Sequence, residues 1–211
     1  MKTGLVLCVA VASAALGAVA AWPLQDAHAK DNKAAAPAAS GQPSPADMAK
    51  WMATMAPGPQ HKMLASMVGH WTTEISYTTV PGAPPTKSTG TDDYSMAMDG
   101  RYLMDTHASS GPMGPFKGMG ITGYDNVSGM YQSVWCDSMG TAIMFAQGSY
   151  DTASSSITYT GEFKDPMSGK QTKYREVMHK VSDSEYSFQM FSKQGDAPEW
   201  LSLDIKYTRA K

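Results

Sequence analysis

From residue 69 to the C-terminus, runs of β-forming residues alternate with turn signals every ~8 to 15 residues, a spacing that suits an all-β barrel or sandwich. Asp99-Gly100 is a two-residue hairpin turn of the kind right-twisted strands prefer. Asp125-Asn126-Val127-Ser128-Gly129 and Asp165-Pro166-Met167-Ser168-Gly169 are two further turns, and 137–140, 151–155 and 182–185 complete the set. Strands are predicted over 70–80, 86–98, 101–109, 117–124, 130–137, 141–150, 156–163, 170–181, 186–192 and 200–209. Short loops make neighbours in sequence pair antiparallel. A long series of hairpin-linked strands closes on itself, because closure removes the exposed edges. The expected fold is all-β: an antiparallel up-and-down barrel of about ten strands.

Ahead of the strands, Ser44-Pro45 opens a helical pattern, with Ser44 as N-cap and Pro45 at the first helical position. Met48, Trp51, Met52 and Met55 share one face of it, and Pro57 and Pro59 end it. A second short helix is predicted from about His61 to Val68, with Gly69 at its C′ position. Residues 30–45 are Ala, Pro, Lys and Ser with little to bury, and read as a disordered tether. Residues 1–29 read as an export signal. Lys2 supplies the positive start, Leu5 to Leu16 is apolar but too short to span a bilayer, and Ala27-His28-Ala29 fits a small-X-small cleavage site. A cut after Ala20 and an uncleaved anchor are the alternatives. The absence of a twin-arginine pair points to general secretion, and Cys8 does not read as a lipidated cysteine. The expected order is signal peptide 1–29, linker 30–45, and one barrel domain over 46–211 with its helices in front.

A formal net charge of -2 offers no basic surface to a nucleic acid. No segment beyond the signal is apolar enough to cross a membrane as a helix. One cysteine, Cys136, lies beyond the signal. No disulfide can form within the mature chain, so the core must hold the fold, and a lone thiol of this kind is more often buried than reactive.

Alternation and turn position together predict an interior. If Ser182 pairs with Glu185, then Val181 faces Tyr186, His179 faces Phe188 and Val177 faces Met190, which carries His179 and Arg175 inside. The Asp99-Gly100 turn pairs Met98 with Arg101, Met96 with Leu103 and Tyr94 with Asp105, placing Arg101, Asp105 and His107 on one face. Trp135 and Asp137 share a face by alternation. On the last strand Leu201, Leu203, Ile205, Tyr207 and Arg209 lie on one side, and on the first Trp71, Thr73, Ile75 and Tyr77 do. The candidate ligand-lining set is therefore Tyr77, Arg101, Asp105, Trp135, Asp137, Arg175 and His179. Buried charges must be paired or solvated, so this mixed interior suits an amphipathic or anionic small molecule. In a closed barrel Arg209 can stack on the Trp71 indole, an interaction worth about 0.5–2 kcal/mol. Gly69, Trp71 and Arg209 are accordingly read as structural closure of the barrel floor.

Other motifs point away from specific chemistries. Gly118-Met119-Gly120-Ile121-Thr122-Gly123 has the letters of a dinucleotide fingerprint, but a loop precedes it and a turn follows, where a strand and a helix are required. All but one of the 17 methionines lie beyond the signal, scattered along the strands, and fill core more readily than they bind copper. His61, His70, His107 and His179 form no metal-ligand spacing. No Gly-X-Ser-X-Gly elbow occurs. No catalytic or metal set is assigned and no cofactor is expected, with a haem ligated by an inward His179 as the alternative.

Gly69-His70-Trp71 resembles the start of lipocalin-like (calycin) barrels, in which an arginine near the chain end covers the tryptophan. A wider set is similar to the bacterial DUF1579 family, a domain of unknown function. It comprises Trp71, Pro81-Gly82-Ala83-Pro84-Pro85, Gly100-Arg101-Tyr102-Leu103, Gly118 to Asp125, Trp135 to Thr141, Asp165 to Lys170 and Arg175-Glu176-Val177. The resemblance spans about 48–210. It implies a lipocalin-like barrel in the bacterial periplasm and carries no activity, ligand or catalytic residue with it. Three functions remain in view: a barrel binding a small amphipathic molecule, an enzyme using interior Arg101, Asp105, Asp137 and His179, and an interaction module docking through the Met/Trp stripe of 48–55.

Overall fold

The computed structural model describes residues 43–112 and 114–211. The expected signal peptide over 1–29 and all but the end of the expected tether over 30–45 fall outside the described residues. Helix α1 (Pro45–Met55) starts at Ser44, whose Oγ accepts the Asp47 N–H at 3.1 Å. Helix α2 (Pro59–Ala65) begins two residues earlier than expected, because Pro59 takes the first helical position and the His61 ring accepts the free Gly58 N–H at 3.0 Å. It also ends sooner, in a turn over Ser66–Val68, so Gly69 opens the first strand and does not cap the helix.

Ten strands follow: β1 (Gly69–Tyr77), β2 (Thr86–Ala97), β3 (Tyr102–Gly111), β4 (Gly114–Asp125), β5 (Met130–Asp137), β6 (Met144–Asp151), β7 (Ser156–Lys164), β8 (Gln171–Ser182), β9 (Glu185–Gln194) and β10 (Trp200–Arg209). Each pairs antiparallel with its sequence neighbours, and β1 pairs with β10, so the barrel is closed with no free edge. Asp125, Asp151 and Asp165 hold their turns by accepting backbone N–H groups two residues on, at 2.9, 3.0 and 3.1 Å. The turn after β2 is longer than the two residues expected. Met98, Asp99 and Gly100 all take positive φ and the loop closes through Arg101 N–H to Ala97 O, yet Tyr94 still lies opposite Asp105.

Two bulges change which residues face inward. Between β8 and β9 an extra residue falls between Lys180 and Ser182, so Lys180 pairs with Tyr186 and Met178 with Phe188. A one-residue slip exchanges the faces of a strand. The expectation that His179 and Arg175 point inside is therefore corrected: Met178 and Glu176 take those places. Between β9 and β10 the ladder shifts between Leu201 and Leu203, which leaves Leu201 exposed on the outer surface while Leu203, Ile205 and Tyr207 stay inside.

The end of the barrel nearest α2 is packed shut. Leu64, Met67 and Trp71 are almost fully buried there, with Tyr186 edge-on to the Trp71 ring at 5.1 Å. Trp71 Nε1 donates to Met67 O at 2.8 Å. Arg209 lies 4.2 Å over the indole and donates to Val68 O, Ser66 O and Asp183 O at 2.7, 3.1 and 3.1 Å. One guanidinium thus joins the helix end, the first strand and the β8–β9 turn.

Candidate functional site

Above that floor the barrel is hollow. A cavity of about 470 Å³ runs from Leu64 and Met67 up to Tyr77, Thr79, Gly111 and Met139 at the other end. Its wall is mainly apolar, from residues such as Ile75, Leu103, Ile157, Phe188, Met190 and Ile205. A size of a few hundred Å³ with a few polar groups on an apolar wall is typical of a small-molecule site.

Two rows of laterally paired residues carry polar groups, the first from β10 through β1 to β5 and the second from β1 to β6. The first runs Arg209, Trp71, Asp92, His107, Gly118, Asp137. The second runs Gly69, Tyr94, Asp105, Gly120, Trp135, Met144. Paired residues point the same way, so both rows face the lumen, and they connect the floor to the cavity wall. The glycines of Gly118-Met119-Gly120 have a steric purpose here. A Cβ on Gly118 would sit 2.1 Å from the Trp135 ring, and one on Gly120 3.3 Å from both Trp135 and Asp105. They let the indole lie flat against β4, where its Nε1 donates to Asp137 Oδ2 at 3.2 Å.

Asp92 is 1% exposed and lies 2.9 Å from His107 Nδ1, so that nitrogen donates to the carboxylate. His107 packs on Phe116 and Trp135 at 5.7 and 6.4 Å between ring centres. Asp105 has no basic partner among the described residues. Its Oδ1 is sealed from solvent without a hydrogen bond among the described residues. Burial, followed by the nearby Asp92 charge, pushes the Asp105 carboxyl up to about 8. Across the lumen, burial alone raises Glu176 to about 7. Tyr207 stands among these acids: burial first, then Asp92 and Asp105, with Glu176 adding, hold its phenol well above the usual value. Tyr94 is raised in the same way, by burial and then by Tyr207, Asp105 and Asp92.

Of the seven residues expected to line a ligand, Tyr77, Asp105, Trp135 and Asp137 lie on the cavity. Arg101 does not. It sits past the closed end, where its guanidinium donates to Met98 O and Met55 O at 3.2 and 3.4 Å. Arg175 is on the outer wall, 4.1 Å over the Phe191 ring and paired with Glu199 at 2.8 Å. His179 is also outside, with Nδ1 2.8 Å from Ser154 O, so a haem in the lumen cannot be ligated through it. The expected acid–base group of Arg101, Asp105, Asp137 and His179 is thereby divided, with only the two aspartates sharing the lumen. No lysine or arginine lines the cavity among the described residues, which removes the basis for an anionic ligand.

Sequence reasoning passed over Asp92 and left Tyr94, Tyr159, Glu176 and Tyr207 off the ligand-lining set. Asp92 was within reach: the register that sets Tyr94 opposite Asp105 sets Asp92 opposite His107 two residues on. Glu176 was hidden by the Val181 bulge. Among the described residues no group of His, Cys, Asp and Glu could hold a metal ion, and no helix is long and apolar enough to cross a membrane. The α1 stripe of Met48, Trp51, Met52 and Met55 is exposed.

Residues 56–209 match the family model described as "Protein of unknown function (DUF1579)". No curated protein matches. The crystal structure of Rv2717c from M. tuberculosis is similar with a TM-score of 0.57 at 13% identity, covering 74% of this chain and all of that one. Also similar are the structure of EF1p2_mFAP2b bound to DFHBI (TM-score 0.38, 10% identity, 71% of this chain and 98% of that one) and a redesigned beta barrel, b11L5F_LGL (0.35, 14%, 70% and 95%). The first of these supports the barrel fold alone.

Proposed function

The chain belongs to the DUF1579 family, whose function is not known, and from its geometry we propose that it is an exported barrel that binds a small molecule with an apolar body inside its lumen. The observation that carries this reading is the cavity of about 470 Å³ itself. A chain that only needed a scaffold would fill such space, because an empty apolar volume forfeits packing and costs stability. Here the space is left open. Gly118 and Gly120 give Trp135 a place against the wall and keep its ring out of the centre.

Export follows from the charged start, apolar stretch and small-X-small site of residues 1–29, and would place the barrel in the periplasm of a bacterial host. Cell fractionation with an N-terminally truncated control tests that part. The binding itself is tested by native mass spectrometry of protein purified from its own host, followed by solvent extraction. A bound small molecule is expected at one per chain. Protein that carries none, and takes up none from a lipid extract of the host, overturns the reading.

A further inference from the structure

The wall of the cavity has an unbalanced charge, and this restricts what can enter. Asp92, Asp105, Asp137 and Glu176 all line it, and among the described residues neither lysine nor arginine does. Asp92 is committed to His107 at 2.9 Å, and Asp137 to the Trp135 N–H at 3.2 Å. Asp105 and Glu176 have no ion-pair partner among the described residues. A carboxylate in such a place is costly unless something neutralises it.

A second observation concerns an unpartnered atom: Asp105 Oδ1 is sealed from solvent with no hydrogen-bond partner among the described residues. Tyr159 lines the cavity, is 6% exposed and lies opposite Glu176 across β7 and β8. Its burial first, and then the Glu176 charge, raise its phenol, so the hydroxyl is a neutral group next to an unpaired acid. Buried polar atoms are normally satisfied, and Asp105 lines the space that a ligand would occupy. Trp135, Tyr94 and Tyr207 line the same cavity, and aromatic rings attract cations.

We propose that the ligand carries a protonated amine on an apolar body, with the ammonium drawn to Asp105 and Glu176 and the body lying along the apolar wall. The inference rests on the reading of the lumen as a binding site and names the chemical class that site prefers. An anion would find neither lysine nor arginine on this wall among the described residues. A neutral molecule would satisfy the wall and leave both acids unpaired. An ammonium supplies three donors and the missing charge. Near neutral pH the empty lumen holds Asp105, at about 8, largely protonated and Glu176, at about 7, about half so. A cation therefore displaces protons as it binds. The groups facing Asp105 are Asp92 and Tyr94 on β2, His107 on its own strand and Tyr207 on β10, with Asp93 acting on it from the outer face of β2. Those facing Glu176 are Tyr174 on its own strand, Tyr159 on β7 and Tyr207 on β10. An alkylamine stays protonated up to about pH 10, so between pH 6 and 8.5 the trend is set by the groups of the cavity wall.

The test is displacement of the neutral dye N-phenyl-naphthylamine from the full chain by octylamine, octanol and octanoate. Octylamine is expected to compete at least about tenfold better than octanol at pH 8.5, with octanoate the weakest. Its affinity should rise at least about tenfold from pH 6 to pH 8.5, since the ionised fraction of a group near 7 rises by that factor and that of a group near 8 by more, while octanol stays level. Asp105→Asn and Glu176→Gln should each remove most of the amine preference and keep octanol binding within about twofold, which also reports that the variants fold. If the dye binds saturably but octylamine competes no better than octanol, or octanoate competes best, the ammonium assignment is overturned and the binding site stands. An amine preference unchanged in both variants overturns it too. If the dye finds no saturable site, both readings fall.

Discussion

Gly69 is glycine because Arg209 occupies the place of its side chain. A Cβ there would lie 2.4 Å from a guanidinium nitrogen, and the backbone has φ of +138°. The same guanidinium covers Trp71 and satisfies carbonyls of Ser66, Val68 and Asp183 that would otherwise face one another at the end of the barrel. Hydrogen bonds to a charged donor contribute about 1.5–3 kcal/mol each at most, so Arg209→Ala should destabilise more than a surface change does. Trp71→Ala removes a fully buried indole and should cost about 3–5 kcal/mol. Because both act on one stack, the double variant should fall short of their sum by about 1–2 kcal/mol in denaturant unfolding. Additive effects would mean the stack contributes nothing of its own.

The hairpins were legible in the sequence and the bulges were not. Asp99-Gly100 announces a turn and sets the β2–β3 register through to Asp92 opposite His107, because nothing interrupts the alternation. Ser182–Glu185 announces its turn equally well, but Val181 is a β-branched residue that looks like any strand residue. Only the pairing of Lys180 with Tyr186 reveals that the ladder has stepped past it. The closed architecture survives such a step and the list of inward residues does not, which is why the fold could be read further than the site. The bulge makes a direct prediction about β8. Met178→Asp places a carboxylate on the apolar wall opposite Phe188 and should lower stability by about 2–4 kcal/mol, whereas His179→Asp, half-buried on the outer face, should cost about 1 kcal/mol or less. A register without the bulge predicts the reverse order, and thermal unfolding of the two variants separates them.

For the barrel as a whole, the acids within it couple stability to pH in an unusual direction. Asp105 and Glu176 keep their protons in the folded chain up to about 8 and about 7, while their ordinary values are 3.8 and 4.5. Between roughly pH 4 and 8 the folded state therefore binds more protons than the unfolded one, and stability falls as pH rises through that range. Tm should drop from pH 5 to pH 9 in the empty protein, and the Asp105→Asn/Glu176→Gln double variant should flatten the slope. A slope unchanged by both substitutions would place the responsible groups elsewhere. Added octylamine should offset the loss most at high pH, because a ligand bound only by the folded state stabilises it.

All of this depends on the lumen being a space that a molecule enters. Calorimetric titration with N-phenyl-naphthylamine tests that most directly, comparing the natural chain with a Met178→Trp/Leu203→Trp variant whose larger side chains fill the cavity from β8 and β10. The expected result is one saturable site per chain in the natural protein and binding at least about tenfold weaker in the filled variant, with the fold retained. Equal binding to both proteins, or none to the natural chain, would contradict a ligand-binding lumen.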